Sequence, residues 1–370
     1  MARIILDARE LTTSTGRYVE RLLHYLQKLD GAHDYMVLLK PGDYEAWQPD
    51  NPRFAKVPCP YKEFSFGEQL GLLRQIRKLK PDLVHFTMTQ QPILDGGKVV
   101  TTIHDLTTAR FSNPTKNRAV FGVKQWVYKK VIKRVARKSV ALITPSQFVK
   151  ADVAQYADVP VDKITVTHEA ADKLQVTPKV WPQLAGKSFL LYIGRATPHK
   201  NLRRAVDALA IVRKTHPDTL LALAGKFDDS YKLLKKYVER QALSQNLIFT
   251  DFVSEEELAW LYQNATAYLF PSLSEGFGLP GVEAMAQGLP VLAAKATCLP
   301  EIYGEAALYF DPLDIADMAA KINQLLDSEE LRQKLIAAGY VQAAKYSWDK
   351  MTKQTLEVYK RVLDEIKTTS

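Results

Sequence analysis

Residues 271–283 read Pro271-Ser272-Leu273-Ser274-Glu275-Gly276-Phe277-Gly278-Leu279-Pro280-Gly281-Val282-Glu283. The stretch follows an apolar run, Ala265–Ser272, that has the composition of a buried strand, and it leads into a helical segment. Glycines at such a strand-to-helix junction let the backbone come close to an anion, and the helix start offers it free N–H groups. The two glutamates stand eight positions apart, Glu275 in the loop and Glu283 on the helix. One carboxylate can meet a sugar hydroxyl while the other meets a ribose hydroxyl, which is a polyol-binding layout. The plainer alternative makes Glu275 a surface residue and the glycines a tight turn.

Outward from this junction the same strand–loop–helix unit recurs. Short runs rich in Val, Ile and Leu alternate with longer amphipathic stretches, the pattern of a buried parallel sheet covered by helices. The first set of strands is Arg3–Ala8, Tyr35–Lys40, Asp82–Phe86, Lys98–Asp105, Val140–Ser146 and Lys163–Ala170. The second is Ser188–Gly194, Thr219–Gly225, Leu247–Phe252, Ala265–Ser272, Leu289–Ala294 and Ala306–Pro312. The 370 residues suffice for two such α/β domains. Asp172–Lys187, with Pro178, Trp181, Pro182 and Gly186 and neither periodicity, reads as the linker. Three helical stretches follow the last strand, Asp314–Asp327, Glu329–Tyr346 and Ser347–Ile366, more than one further βα unit requires. The expected division is residues 1–171, linker 172–187, residues 188–345, and a final helix in 346–370 that returns to the first domain.

Composition sets the class. The chain is 46% hydrophobic and 25% charged and has no low-complexity tract, so nearly all of it should fold. Cys59 and Cys298 are far apart and lack metal-ligand spacing, which argues against a disulfide framework or a zinc site and fits a reducing cytoplasm. Met1 to Asp7 reads as a first strand, with no signal-peptide or membrane-span character. The net charge of +9 is concentrated in the first half, which has 28 Lys and Arg against 18 Asp and Glu over residues 1–185, while the remainder has 22 against 23. An anionic partner for the first domain is implied.

A second junction, Tyr192-Ile193-Gly194-Arg195-Ala196-Thr197-Pro198-His199-Lys200-Asn201, again runs from a strand end into a helix. Arg195 offers a guanidinium fork and Lys200 a point charge, a combination suited to one pyrophosphate. The bland reading is a solvated cationic loop capped by Asn201.

Gly194-Arg195 with Lys200, followed by Glu275 and Glu283 inside Pro-Ser-x-x-Glu-Gly-Phe-Gly-x-Pro, resembles the donor site of retaining family-4 glycosyltransferases of the GT-B fold. Gly16-Arg17-Tyr18-Val19 after the first strand, His104-Asp105 after the fourth and Thr144-Pro145-Ser146 after the fifth are similar to that family too, so the likeness spans about the whole chain. The resemblance implies two Rossmann-like doubly wound domains facing across a cleft, with the acceptor side first and the nucleotide-sugar side second. It implies that Arg195 and Lys200 bind the diphosphate and Glu283 the ribose. Glu275 would hold the 3-hydroxyl of the transferred sugar, and the backbone of Phe277, Gly278 and Leu279 its oxygens and the phosphate. Phe252 and Val253 would lie beside the base, Gly16 would approach the β-phosphate, and His104 would face the donor sugar near its reacting carbon. Many relatives have a further glycine before Gly16, where this chain has Thr12-Thr13-Ser14-Thr15. Asp105 orients His104 or caps the next turn.

The expected reaction passes a hexosyl unit, with GDP-mannose as first candidate by analogy, to a glycan or lipid-linked acceptor hydroxyl with retained configuration. Glu275 positions substrate and does not attack it. No cofactor and no metal are expected, because Arg195, Lys200 and helix starts can neutralise the leaving diphosphate. Asp228-Asp229 reads as a helix cap, not a metal pair. Competing classes are a phosphorylase or epimerase on the same fold, and a non-catalytic membrane- or polymer-binding protein.

Lys116–Lys138 has nine Lys or Arg and no acid, with Val120, Val123, Val127, Val131 and Val135 at helical spacing. Either the valines pack on the sheet and the lysines face water, or the helix makes peripheral contact with anionic lipid at the inner face of the membrane. Nucleic acid is not expected, since no stacking platform of interleaved aromatics is present.

Overall fold

The computed structural model describes residues 1–13, 15–112 and 118–369, with the side chains of 118–120 and 365–369 set aside. Ser14 of the first loop, Lys116 of the basic stretch and the side chain of Val120 lie outside the described residues.

The chain divides into two compact units. One comprises Met1–Ala109, Val123–Glu169 and Ser347–Ser370, the other Arg110–Gly122 and Ala170–Tyr346. The segment from Ala170 to Lys187 counts with the second unit: Leu184 is buried, and the Lys179 N–H donates to the Glu256 carbonyl at 3.0 Å.

The first unit is built on β1 (Arg3–Asp7), β2 (Asp34–Leu39), β3 (Phe54–Pro58), β4 (Leu83–Phe86), β5 (Val99–Thr102), β6 (Ala141–Thr144) and β7 (Ile164–Val166). These strands form a seven-stranded sheet in the order β3-β2-β1-β4-β5-β6-β7, every pairing parallel. Strand β3 is absent from the sequence reading. It is an edge strand, Phe54-Ala55-Lys56-Val57-Pro58, with Phe54 its only buried residue and a proline at its end, so it lacks the apolar run that marks the central strands.

The second unit has β8 (Phe189–Ile193), β9 (Leu220–Ala224), β10 (Leu247–Asp251), β11 (Ala267–Phe270), β12 (Val291–Ala294) and β13 (Ala307–Phe310). They form a six-stranded parallel sheet in the order β10-β9-β8-β11-β12-β13. In both sheets the order reverses beside the first strand, between β1 and β4 and between β8 and β11. Loops leaving the carboxyl ends of such a pair turn to opposite faces and open a crevice. The sequence motifs at 194–201 and 271–283 leave β8 and β11, the loop leading to Gly16 follows β1, and the loop at residues 87–91 follows β4.

The helix Trp348–Thr369 belongs to the first unit, where it packs against the helix Gly16–Leu29 and against β6. Its Tyr359 hydroxyl and the Nδ1 of His85 in β4 lie 2.5 Å apart in the core.

The helix Arg118–Lys138 corrects the valine reading. Val123 and Val127 are exposed, and the buried face is Tyr128, Ile132, Val135 and Ala136, of which Tyr128, Ile132 and Ala136 pack with Ile103, Leu142 and Val153. At 3.6 residues per turn, Tyr128 and Ile132 each sit about 100° round the axis from the valine that precedes them, whereas Val135 lies about two turns beyond Tyr128 on nearly the same face. Val135 reaches the core; Val123 and Val127 point away from it.

Candidate functional site

In the second unit the turn after β8 is shaped by two glycines. Gly194 has φ 138° and Gly225, at the end of β9, has φ 155°. A Cβ on Gly225 would meet the Gly194 carbonyl oxygen at 2.2 Å, so only glycine allows the two loops to approach this closely. The Gly194 N–H donates to the Ala224 carbonyl at 2.9 Å, and the Tyr231 hydroxyl donates to the Gly194 carbonyl at 2.7 Å. The Tyr192 hydroxyl donates to the Arg195 carbonyl at 2.9 Å. Neither tyrosine was singled out from sequence.

Arg195 donates through Nη2 and Nε to Asp228 at 2.7 and 3.1 Å. Asp228 also caps the helix Asp229–Arg240 by accepting from the Ser230 and Tyr231 N–H groups. Burial works against the Asp228 charge, but the guanidinium and the two N–H groups hold its carboxyl below the usual range. The sequence reading had the cap; it missed the partner of Arg195, because the two are 33 positions apart.

Lys200 ends a short turn from Pro198, and its Nζ lies 2.5 Å from Glu275 Oε1 and 5.4 Å above the Phe270 ring. The side chains are 18% and 13% exposed. The Leu273 N–H donates to the His199 carbonyl at 2.7 Å, binding the loop after β11 to the loop after β8. Glu275 is clamped further: its N–H donates to Thr297 Oγ1 at 3.2 Å, and the Cys298 thiol donates to its carbonyl at 3.3 Å. Both cysteines are free and buried.

Gly278 adopts φ 83° as the cap of the helix Leu279–Ala286. Its carbonyl accepts from the buried Tyr303 hydroxyl at 2.6 Å, and a Cβ on Gly281 would meet that hydroxyl at 2.2 Å. Phe277 is buried edge-on against Tyr346 at 5.3 Å. Glu283, one helical turn on, accepts from the Tyr262 hydroxyl at 3.4 Å. Phe252 is 81% exposed at the end of β10, with Val253 beside it. Asp251, held at φ 59°, accepts from the Phe227 N–H at 2.8 Å and fixes the turn that presents this ring. The second unit thus brings Lys200 and Glu275 together, with Gly194 earlier in the Lys200 loop; Arg195 is engaged with Asp228, Glu283 with Tyr262, and Phe252 stands clear in solvent.

In the first unit Gly16 starts its helix, and a Cβ there would meet the Leu11 carbonyl oxygen at 2.0 Å, so the loop closes on it. Ser146 caps the helix Gln147–Ala157 through the Val149 N–H. His104 follows β5: its Nδ1 is 3.2 Å from Glu169 Oε1 and its Nε2 3.1 Å from the Thr87 carbonyl. Burial alone would lower the His104 pKa, but the Glu169 carboxylate, with Asp105 and the Thr87 carbonyl behind it, carries it above the usual histidine value. Asp105 caps the next turn through the Thr107 N–H at 2.7 Å, which decides between its two sequence readings. Glu169 was not singled out from sequence, being 65 positions away.

Among the described residues no group of three or more His, Cys, Asp or Glu is arranged to hold a metal ion, and no helix is long and apolar enough to cross a membrane.

Comparison with known proteins gives this arrangement a lineage. The family model "Glycosyltransferase Family 4" matches residues 15–173, and "Glycosyl transferases group 1" matches residues 177–342. The chain is 34% identical over 233 residues, 59% of its length, to O-antigen chain mannosyltransferase B of Escherichia coli. It is 30% identical over 250 residues, 66% of its length, to MMP alpha-(1->4)-mannosyltransferase of Mycolicibacterium hassiacum. Each match spans 60% of the relative's own length. Among solved structures, HepE of Anabaena with UDP and glucose superposes with a TM-score of 0.76 at 18% identity, over 98% of this chain and 100% of that one. With both halves matched in order and both sheets doubly wound, the chain belongs to the family-4 glycosyltransferases of the GT-B fold.

Proposed function

We propose that this protein is a retaining, metal-independent hexosyltransferase that moves a mannosyl unit from GDP-mannose to the hydroxyl of a glycan or lipid-linked acceptor. The observation that carries the reading is the Lys200–Glu275 pair, 2.5 Å apart where the loops after β8 and β11 meet. A cation and a carboxylate side by side suit a phosphate and a sugar hydroxyl side by side, and the amino end of the Leu279–Ala286 helix adds its dipole to the phosphate. In this reading Lys200 and Arg195 take the diphosphate, Arg195 exchanging Asp228 for it. Gly194 and the Phe277–Leu279 backbone line the approach, Glu275 and Glu283 hold sugar and ribose hydroxyls, and the Phe252 ring with Val253 covers the base. Gly16 and His104 serve the first unit's share of the donor. Mannose is the choice because the matched relatives in Escherichia coli and Mycolicibacterium hassiacum are named mannosyltransferases.

The transfer breaks the bond between the anomeric carbon and the diphosphate oxygen and forms one to the acceptor oxygen on the same face. The acceptor proton passes to a diphosphate oxygen, and the cationic side chains stabilise the charge that leaves. Glu275 is engaged by Lys200 and positions the sugar. The test has two stages. Thermal unfolding with GDP-mannose, UDP-glucose and UDP-N-acetylglucosamine should show GDP-mannose stabilising most, by about 2.7 kcal/mol at one hundred times its Kd. Product analysis in the presence of EDTA should then give an α-mannoside and GDP. Stabilisation by no nucleotide sugar, an inverted linkage, or release of free sugar phosphate would each replace this reading.

The proposal locates the enzyme in the cytoplasm, at the inner face of an anionic membrane. Supporting this, the outward face of the Arg118–Lys138 helix presents Val123, Trp126 and Val127 and then Lys130, Lys133 and Arg134. Phe64, itself exposed, packs edge-on against Tyr128 of the same helix at 5.8 Å. Apolar side chains for the acyl boundary beside cations for the headgroups make a peripheral contact. Sedimentation with phosphatidylglycerol vesicles and none with phosphatidylcholine is the expected outcome, lost in Trp126→Ser; equal binding to both lipids would refute it.

A further inference from the structure

Two histidines lie close together in the first unit and have opposite surroundings. His85 in β4 faces hydroxyls, Tyr359 Oη at 2.5 Å from Nδ1 and Thr102 Oγ1 at 2.9 Å from Nε2. A hydroxyl can donate or accept, so a neutral ring satisfies both contacts. His104 faces groups that accept: the Glu169 carboxylate at Nδ1 and the Thr87 carbonyl at Nε2. A neutral imidazole has one N–H and one lone pair, and either tautomer would leave a lone pair pointing at an oxygen lone pair.

We propose that Glu169 is a positioning residue which, with the Thr87 carbonyl, fixes the His104 ring as a doubly protonated imidazolium. The remaining groups facing the ring agree. Asp105 adds a second negative charge, and Tyr18 presents its ring edge-on at 4.7 Å while its hydroxyl is engaged with Thr102. His85, near enough to repel a positive charge on His104, is neutral: burial and then His104 itself push its pKa down to about 3. Environments that drive two like groups apart in this way assign one as the charge carrier.

The consequence rests on the donor-site reading given above. With both N–H groups engaged, His104 has no lone pair with which to take a proton from an acceptor. Its contribution is a fixed positive charge, which stabilises negative charge developing near the reacting carbon, and proton removal falls to the donor phosphate.

The full chain, labelled with 15N-histidine, tests this by NMR between pH 5 and 10, the His104 signals being assigned by their loss in His104→Asn. Two protonated ring nitrogens should persist at pH 8 in the wild type. In Glu169→Gln, which keeps an oxygen acceptor and removes the charge, one nitrogen should be deprotonated by that pH; Glu169→Asp, charge kept, should retain two protons. Circular dichroism checks that each variant is folded, and if Glu169→Gln is not, the wild-type and Asp forms carry the comparison. A wild-type ring with a single proton at pH 7, or a Gln variant titrating like the wild type, overturns the proposal. Transfer from the nucleotide sugar is followed over the same pH series, where about tenfold lower turnover at pH 8 is expected for Glu169→Gln, with donor KM little changed. Turnover unmoved while the ring proton count falls would unseat His104 from the donor site and leave its protonation as assigned.

Discussion

Replacing Lys200 by Met keeps the apolar stem over the Phe270 ring and removes the charge 2.5 Å from Glu275. The Glu275 carboxylate, 13% exposed, then lacks its cation. Removing one partner of a fully buried pair costs about 3–5 kcal/mol, while a surface pair contributes about 0–1 kcal/mol. A pair with this residual exposure falls between the two, nearer the buried case, at about 2–3 kcal/mol. For a unit of this size each kcal/mol moves Tm by about 2–4 °C, so Lys200→Met should melt about 4–12 °C lower. Glu275→Gln should cost a similar amount. The double variant, with no buried charge left, should recover most of the loss, giving a coupling of about 3 kcal/mol or more in a double-mutant cycle followed by thermal and denaturant unfolding. Transfer behaves differently, since the double variant regains no cation for the diphosphate. All three variants should fall on the order of a hundredfold or more in kcat/KM. Additive stability losses would show that the pair is not an energetic unit. A double variant that recovered turnover along with stability would sink the role given to Lys200.

Three further outcomes follow from the geometry. Gly281→Ala would place its Cβ 2.2 Å from the Tyr303 hydroxyl, and that ring is fully buried, so overpacking should cost about 1–3 kcal/mol in denaturant unfolding; an unchanged midpoint refutes the close fit. Phe252→Ala, 81% exposed in the wild type, should leave Tm unchanged and weaken GDP binding by about 5- to 150-fold if the ring stacks on the base, and equal affinity in calorimetry removes it from the site. His85 and His104 pull the pH dependence of stability in opposite directions. His85 has a folded pKa of about 3, so the unfolded chain takes up the proton first. Its contribution is whole above the ordinary histidine value and is lost as pH falls from there toward 3, by at most about 1.4 kcal/mol per pH unit. His104 is raised, so its contribution is whole at low pH and is lost as pH rises through its folded value. Unfolding free energies of His85→Gln should therefore fall less steeply than wild type between pH 6.5 and 4.5, and parallel acid limbs would contradict the buried neutral ring.

What could be read from sequence was whatever is local. Twelve of the strands announce themselves because a parallel sheet covered on both faces demands unbroken apolar runs, and the edge strand Phe54–Pro58 does not because it has one buried side chain. The two loops of the second unit stood out because strand, glycine and helix occur in one continuous stretch. Their partners stayed hidden for a common reason: Asp228 for Arg195, Glu169 for His104 and Tyr303 for Gly278 are joined only by the folded chain, 33, 65 and 25 positions away. A side chain whose task is to hold another has no spacing rule of its own. The valine series erred for a geometric reason, since Val127 lies about 100° round the helix from Tyr128, which with Ile132 makes the true inner face.

The tie between Tyr359 and His85 spans 274 positions and joins the final helix to a central strand of the first unit. A ribosome adding about 5–20 residues per second needs roughly 14–55 s to travel that distance. For that interval the nascent first unit has β4 in place and a polar nitrogen bound for the core with no partner, while the second unit emerges and can close on its own. Although its strands are made first, the amino-terminal half is the last to finish, and a chain stalled before Tyr359 is added would carry a complete second unit attached to an unsealed first one.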